Sequence, residues 1–224
     1  MSRPVLYKMD ASPPSNAVRM LADIIGLELE LKDINFGALE HKTPDFIKLN
    51  PMGTVPTLQD GDFIISESHT IMKYLLSKYG GDKRESLYPS EVRARALVDQ
   101  CMYFDTGVFF IRLKVVALPS IFHGLEAPTP KDIQDIEVAY GVVEAYLDGR
   151  KYIAADHLTL ADLSVGATTA SMEPIHKVDP QKFPRTVEWL SRLEKEPFVK
   201  KILTPGVQLF GQVLNACWEK NKKQ

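Results

Sequence analysis

Hydrophobic positions in the N-terminal part of the chain alternate between two periods. Pro4–Met9 is a short apolar run and predicts a strand. Asp10-Ala11-Ser12-Pro13-Pro14 interrupts it, and Ala17, Val18, Met20, Leu21, Ile24 and Ile25 then recur at helical spacing. Proline suits a first helical turn, and Gly26 is placed to stop the helix. Leu29–Phe36 reads as a second strand, and Thr43-Pro44 opens a short helix through Leu49. Val55–Gln59 and Asp62–Ile65 read as a hairpin turning at Asp60-Gly61. Pro56 cannot donate to a ladder and belongs at the start of the first of these strands. An apolar-periodic helix from Ser68 to Tyr79 follows, giving the order β-α-β-α-β-β-α.

Gly80–Ser86 is a polar break and the best domain boundary. Beyond it only the helical period persists. Glu91–Leu118 is one long helical pattern that Pro119 is expected to stop. Thr129-Pro130 starts a helix ending near Gly149, and Thr159-Leu160-Ala161-Asp162 is a capping-box signature. Phe183-Pro184, Pro197–Leu203 and Val207–Trp218 complete an all-α second half. The fold class is therefore an α/β N-terminal domain followed by an all-α domain, and the first of these resembles a thioredoxin-like fold. Ser12-Pro13-Pro14-Ser15 stands where the thioredoxin-like fold often carries Cys-x-x-Cys, which argues against thiol–disulfide exchange.

Composition removes several function classes. Of 224 residues, 45% are hydrophobic and 25% charged, as in an ordinary globular protein. A net charge of −2 gives no electrostatic case for nucleic acid or an anionic membrane. The Lys220–Lys223 run reads as a solvated, frayed tail. The chain begins with a strand, without a signal-peptide core or an apolar run of membrane-spanning length. Cys101 and Cys217, far apart in helical patterns, read as reduced structural thiols in a cytosolic protein. No Cys or His spacing suits zinc, so no metal is expected.

Two helix starts carry the chemistry. Ser12 lies between a strand and a helix, and Ser66-Glu67-Ser68 precedes Ile71, Met72, Leu75 and Leu76. Free N–H groups and the helix dipole favour an anion at such places. Backbone groups beside Val55-Pro56 are available to something peptide-like. If that peptide brings a thiol, the Ser12 hydroxyl donates to sulfur and favours the thiolate over a thiol of free pKa about 8.5. Each unit of depression corresponds to about 1.4 kcal/mol. Ser12 is then a donor rather than a nucleophile, because no His-plus-carboxylate arrangement exists to activate it. The same residues also read as an ordinary N-cap and hairpin, and Tyr7 is a rival donor from the first strand.

Leu6-Tyr7 with Ser12-Pro13-Pro14, Asn50-Pro51 with Thr54-Val55-Pro56-Thr57-Leu58, Glu67-Ser68-His69 with Ile71, Leu87-Tyr88-Pro89 and Leu158-Thr159-Leu160-Ala161-Asp162 occur in this order. In that order and spacing the chain resembles the cytosolic glutathione transferases, most of all the insect delta and epsilon classes. The resemblance implies a glutathione-binding domain over 1–80, a linker over 81–90 and a helical domain over 91–224. It implies a cytoplasmic homodimer that activates glutathione as a thiolate for conjugation to small hydrophobic electrophiles, with peroxidase or elimination activity as variations. Ser12 would stabilise the thiolate. Val55, with Pro56 cis, would pair with the cysteinyl backbone, Glu67 with the γ-glutamyl ammonium and Ser68 with its carboxylate. His41 would lie near the glycyl carboxylate, and His69 would support its helix start.

By the same resemblance Tyr103, Phe104, Val108, Ile111, Val115 and Phe210 would line the electrophile site. Arg112 would face glutathione or an electron-rich substrate, with a salt bridge to Asp105 or another carboxylate as the competing reading. Two departures stand out: Gly53 replaces a usual histidine in the glutathione-binding set, and Asn16 replaces the arginine usual after the serine turn. Both leave open a weakly catalytic or non-catalytic carrier of hydrophobic ligands on the same fold.

Overall fold

The computed structural model describes residues 3–223. Strand β1 (Val5–Lys8) leads through Ser12 into helix α1 (Pro13–Ile24), and β2 (Glu30–Asp33) runs parallel to β1. A single 3-10 turn (Glu40–Lys42) precedes α2 (Pro44–Leu49), followed by β3 (Thr57–Asp60), β4 (Phe63–Ser66) and α3 (Ser68–Tyr79). The sheet order is β2-β1-β3-β4, with β3 antiparallel to both neighbours. This is the expected thioredoxin-like order. Leu6 and Leu58 are paired and wholly buried, together with Val18 and Leu21 of α1 and Ile71 and Leu75 of α3. Tyr7, one residue on, faces the other side and meets Phe46 of α2 edge-on.

Two strand boundaries differ from expectation. β2 is shorter than Leu29–Phe36 because it pairs only with β1, from Val5↔Glu30 to Lys8↔Asp33. The hairpin turns at Gly61-Asp62, not Asp60-Gly61, because Asp60 pairs with Phe63 and Gly61 has φ +66°. Asp60 is held at the strand end by Tyr74 and Tyr79 hydroxyls at 2.8 and 2.6 Å and by Lys78 at 2.7 Å.

The helical part begins at α5 (Val92–Phe104), after a short α4 (Lys83–Leu87) within the expected linker. A π turn (Asp105–Phe109) joins α5 to α6 (Phe110–Phe122), and α7 (Pro130–Tyr146), α8 (Leu160–Met172) and α9 (Pro184–Leu193) follow. A second π turn (Val199–Leu203) runs into α10 (Thr204–Asn221). Pro119 does not stop α6. The residues around it remain helical because their inner face is packed, with Leu113, Val116, Ala117 and Ser120 buried. Ser120 also donates to the Val116 carbonyl at 2.8 Å and accepts from Trp218 Nε1 at 2.7 Å.

The C-terminus is not a frayed tail up to Lys223. Asn221 is buried and donates to the carbonyls of Ser120 and Leu125 at 2.9 and 2.8 Å. The capping box at Thr159 and Asp162 forms as expected and starts α8, which is buried along nearly its whole length. α8 packs on α1, so one hydrophobic core runs through both parts of the chain.

Candidate functional site

Ser12 is the N-cap of α1 and is mostly buried. Its backbone N–H donates to Met9 O at 3.0 Å, closing the turn after β1. Its Oγ accepts from Ser15 N–H at 3.4 Å. That contact uses an oxygen lone pair, so the hydroxyl proton remains free to be donated. The cap and the donor readings of Ser12 are thus compatible. Tyr7, the rival donor, is engaged elsewhere: its hydroxyl lies 3.1 Å from Gln59 Oε1, in donating geometry.

The Val55–Pro56 bond is cis, and both residues precede the first ladder residue of β3. The loop is braced from within. Asn50 Nδ2 donates to Thr54 O at 2.9 Å and to Thr57 Oγ1 at 3.0 Å, while Thr57 Oγ1 donates to Thr54 O at 3.0 Å. Asn50 and Thr57 are buried; in the sequence they stand only as part of the Asn50-Pro51 and Thr54–Leu58 motif, without a role of their own.

Ser68 is buried at the first position of α3. No side chain caps this helix, so its leading N–H groups are available to an anion. Glu67 before it holds φ +71°, a conformation that L side chains rarely adopt and that is concentrated at ligand sites. His69 points away from this turn to Asp105 in the first π turn, Nε2 to Oδ2 3.1 Å. This fits its expected role as support for the helix start.

Gly53 explains its own identity. Its φ is +58°, and a Cβ there would lie 2.6 Å from the His41 carbonyl and 3.1 Å from Lys42 Nζ. A histidine side chain has no room, and the space is faced by the Lys42 ammonium. His41 is buried, stacks on Phe36 at 4.0 Å between ring centroids, and has no partner for Nδ1. Burial, then the Lys42 charge, holds its pKa below the ordinary histidine value, so it is neutral at pH 7. Lys42 was missed from sequence because a lone loop lysine carries no pattern.

The electrophile residues separate into two sets. Val108, Ile111 and Val115 are exposed, and α6 continues the stripe with Leu118 and Phe122. α10 packs on α6 and exposes Leu209 and Val213. Phe104 and Phe210 are buried instead. Phe104 stacks on Phe109 and meets Tyr146 edge-on, because its helix turns it into the core while Tyr103 beside it faces solvent. Tyr103 lies under Lys73 Nζ at 5.7 Å. Arg112 does not pair with Asp105, whose carboxylate His69 takes. It lies near Asp135 of α7, where Lys131 first, and Arg112 after it, hold the carboxyl below the usual range.

A cavity of about 380 Å³ lies elsewhere, among Ala170, Val187, Leu190, Leu203 and Val207, and holds none of the predicted residues. Cys101 and Cys217 are unpaired, and burial pushes the Cys101 thiol up to about 12, as for an inert core thiol.

A thioredoxin-like sheet carrying a cis-proline loop and two polar helix starts, joined to an all-helical half, defines the glutathione transferase architecture. The profile described as "Glutathione S-transferase, N-terminal domain" matches residues 4–77, and "Glutathione S-transferase, C-terminal domain" matches residues 109–197. Glutathione S-transferase 1 of Manduca sexta is 37% identical over 206 residues, 91% of this chain and 94% of its own length. An epsilon-class glutathione S-transferase from the housefly, Musca domestica, superposes with a TM-score of 0.93 at 37% identity, covering 96% of this chain and 98% of its own. A glutathione transferase homolog from Drosophila mojavensis, solved with bound glutathione, gives 0.92 at 39% identity over 96% and 98%. The chain belongs to the glutathione S-transferase family. It is a transferase with glutathione as its co-substrate. Among the described residues no helix is long and apolar enough to cross a membrane, and no cluster of three or more His, Cys, Asp or Glu could hold a metal.

Proposed function

We propose that Ser12 donates its hydroxyl proton to the glutathione sulfur and holds it as the thiolate that attacks a small hydrophobic electrophile. The observation that carries this is the Ser12 cap, which employs a lone pair and leaves the O–H free at a helix start. Val55 pairs with the cysteinyl backbone beside Pro56. Ser68 and the uncapped start of α3 receive the γ-glutamyl carboxylate, and Glu67 receives the ammonium. At the other end His41 is a neutral hydrogen-bonding group and Lys42 the cation for the glycyl carboxylate. The Lys42 ammonium, which lies against the position where a Cβ of residue 53 would stand, supports this assignment. The electrophile lies against the exposed stripe of Val108, Ile111 and Val115. The protein works in the cytoplasm as a homodimer, the α/β part of one subunit against the helical part of the other. A monomer mass by sedimentation would overturn the dimer.

The test is the rate of glutathione conjugation to a generic aryl halide for wild type and Ser12→Ala. The expected outcome is a wild-type rate that falls by about 10-fold or more in the variant, roughly one lost transition-state contact. A rate unchanged by the substitution moves the donor role to a backbone N–H. No rate in either folded protein makes the fold a carrier.

A further inference from the structure

Asn16 is almost wholly buried in the first turns of α1, and it holds both ends of the short loop that carries Ser12. Its backbone N–H donates to Ser12 O at 3.0 Å, and its side-chain Nδ2 donates to Asp10 O at 2.8 Å. The amide cannot be turned round without loss. A carbonyl only accepts and a guanidinium only donates, and Asn16 Oδ1 meets Arg19 NH1 at 3.1 Å on its other side. Arg19 NH1 also reaches Asp10 Oδ1 at 2.6 Å, and Lys8 Nζ reaches the same oxygen at 2.7 Å. Asp10 is therefore fixed through its carbonyl by Asn16 and through its carboxylate by two cations. Burial works against its ionisation, but Lys8 and Arg19 outweigh it and hold the carboxyl below the usual range.

The space around this tether is set by the helical half. Gly206, buried in the first turn of α10, lies directly over it. A Cβ at Gly206 would stand 2.2 Å from Asn16 Nδ2, 3.2 Å from Asn16 Cγ and 2.7 Å from Asp10 O. No real side-chain carbon sits so close, so any larger residue displaces the amide, the carbonyl or α10 itself. Gly206 has an ordinary negative φ, so close approach rather than backbone conformation is what requires glycine here. The same helix carries Phe210 one turn later and exposes Leu209 and Val213.

We propose that Asn16, seated by Gly206, is a positioning residue for Ser12. By tethering the Asp10 carbonyl it fixes the loop from which the hydroxyl reaches the sulfur, and it makes that position depend on how α10 is docked. This rests on the reading of Ser12 as the thiolate's donor.

The test is kcat for aryl-halide conjugation at saturating glutathione, followed from about pH 6 to about pH 9, with thermal stability beside it, for wild type, Ser12→Ala, Asn16→Asp, Gly206→Ala and the pair Asn16→Ala/Gly206→Ala. Asn16→Asp keeps the volume under Gly206 and removes the donor. The expected result is a rate down about 5- to 10-fold at the acidic end that approaches wild type at the alkaline end, because a less stabilised thiol still ionises when protons are scarce. The double variant tests packing separately. It regains part of the thermal stability lost in Gly206→Ala alone, since the methyl enters the room the amide leaves, and it keeps the displaced pH profile. A profile displaced in Ser12→Ala but only scaled down equally at every pH, or unchanged, in Asn16→Asp overturns the positioning role and leaves Ser12 standing. An undisplaced profile in Ser12→Ala overturns the Ser12 reading and the positioning role with it. A double variant with the wild-type profile overturns the tether in favour of packing alone.

Discussion

His69 and Asp105 join the first turn of α3 to the π turn between α5 and α6, with Nε2 3.1 Å from Oδ2. Asp105 is buried, and its Oδ1 has no partner, so His69 is the one side chain among the described residues that answers this carboxylate. Removing one member of such a pair strands the other in the interior. We expect His69→Ala to cost about 3 kcal/mol in urea unfolding. It should also raise the KM for glutathione, since Ser68 sits in the turn that loses its anchor. Asp105→Asn should cost less, because an amide still bonds to the imidazole without burying a charge. Equal stability of His69→Ala and wild type would contradict the pairing.

Asp60 gives the fold an acid-sensitive joint. Burial opposes its ionisation, but Lys78, Tyr79 and Tyr74 outweigh it and hold the carboxyl below its ordinary value of 3.8. A carboxyl with a lower pKa folded than unfolded stabilises the fold when ionised, and that contribution disappears as pH falls through the folded value. Asp60→Asn should therefore melt below wild type at neutral pH. The gap in melting temperature should narrow as pH drops below about 4. A gap that stays constant to acidic pH would assign the joint to hydrogen bonding alone.

The order of elements was legible from sequence because periodicity, prolines and caps agreed. Thr43-Pro44 and the Thr159–Asp162 box both start helices where they were expected to. What escaped was set by tertiary partners. Pro119 reads as a stop, yet the buried face of α6 and the Trp218–Ser120 bond hold the helix through it. Phe104 and Val108 share an apolar pattern, and only the packing of Phe109 and Tyr146 shows which is core. Arg112 and Asp105 are a plausible pair seven residues apart until His69, distant in sequence, takes the carboxylate. Gly53 looked like a missing ligand, whereas the structure shows a position with no space for one.

Asp162 is a buried carboxylate that accepts four hydrogen bonds in the helical half. It accepts from Thr159 N at 2.8 Å and Thr159 Oγ1, Ile153 N and Trp189 Nε1 at 2.9 Å each, while fully buried. Replacing it with alanine strands several donors in the core, each worth about 1–3 kcal/mol. A folded domain has only about 5–15 kcal/mol in hand. Asp162→Ala should therefore give little soluble protein, and Asp162→Asn a folded one with a lower urea midpoint. Wild-type stability of the alanine variant would mean that the box is dispensable.

Lys42 and Gly53 make the sharpest prediction about glutathione itself. Lys42 Nζ faces the space where a side chain at position 53 would start, and His41 beside it is neutral. The proposed glycyl-carboxylate contact therefore depends on Lys42 for its charge, and an exposed charge-assisted contact is worth about 1 kcal/mol. Lys42→Ala should raise the KM for glutathione by about 5-fold and leave kcat near wild type, because the contact forms equally in the ground and transition states. Glutathione amidated at its glycyl carboxylate, which keeps the glycine and loses the charge, separates this contact from a general loss of fit. Its KM should be the same for wild type and Lys42→Ala. An equal rise for both substrates would place Lys42 outside the glycyl end of the site.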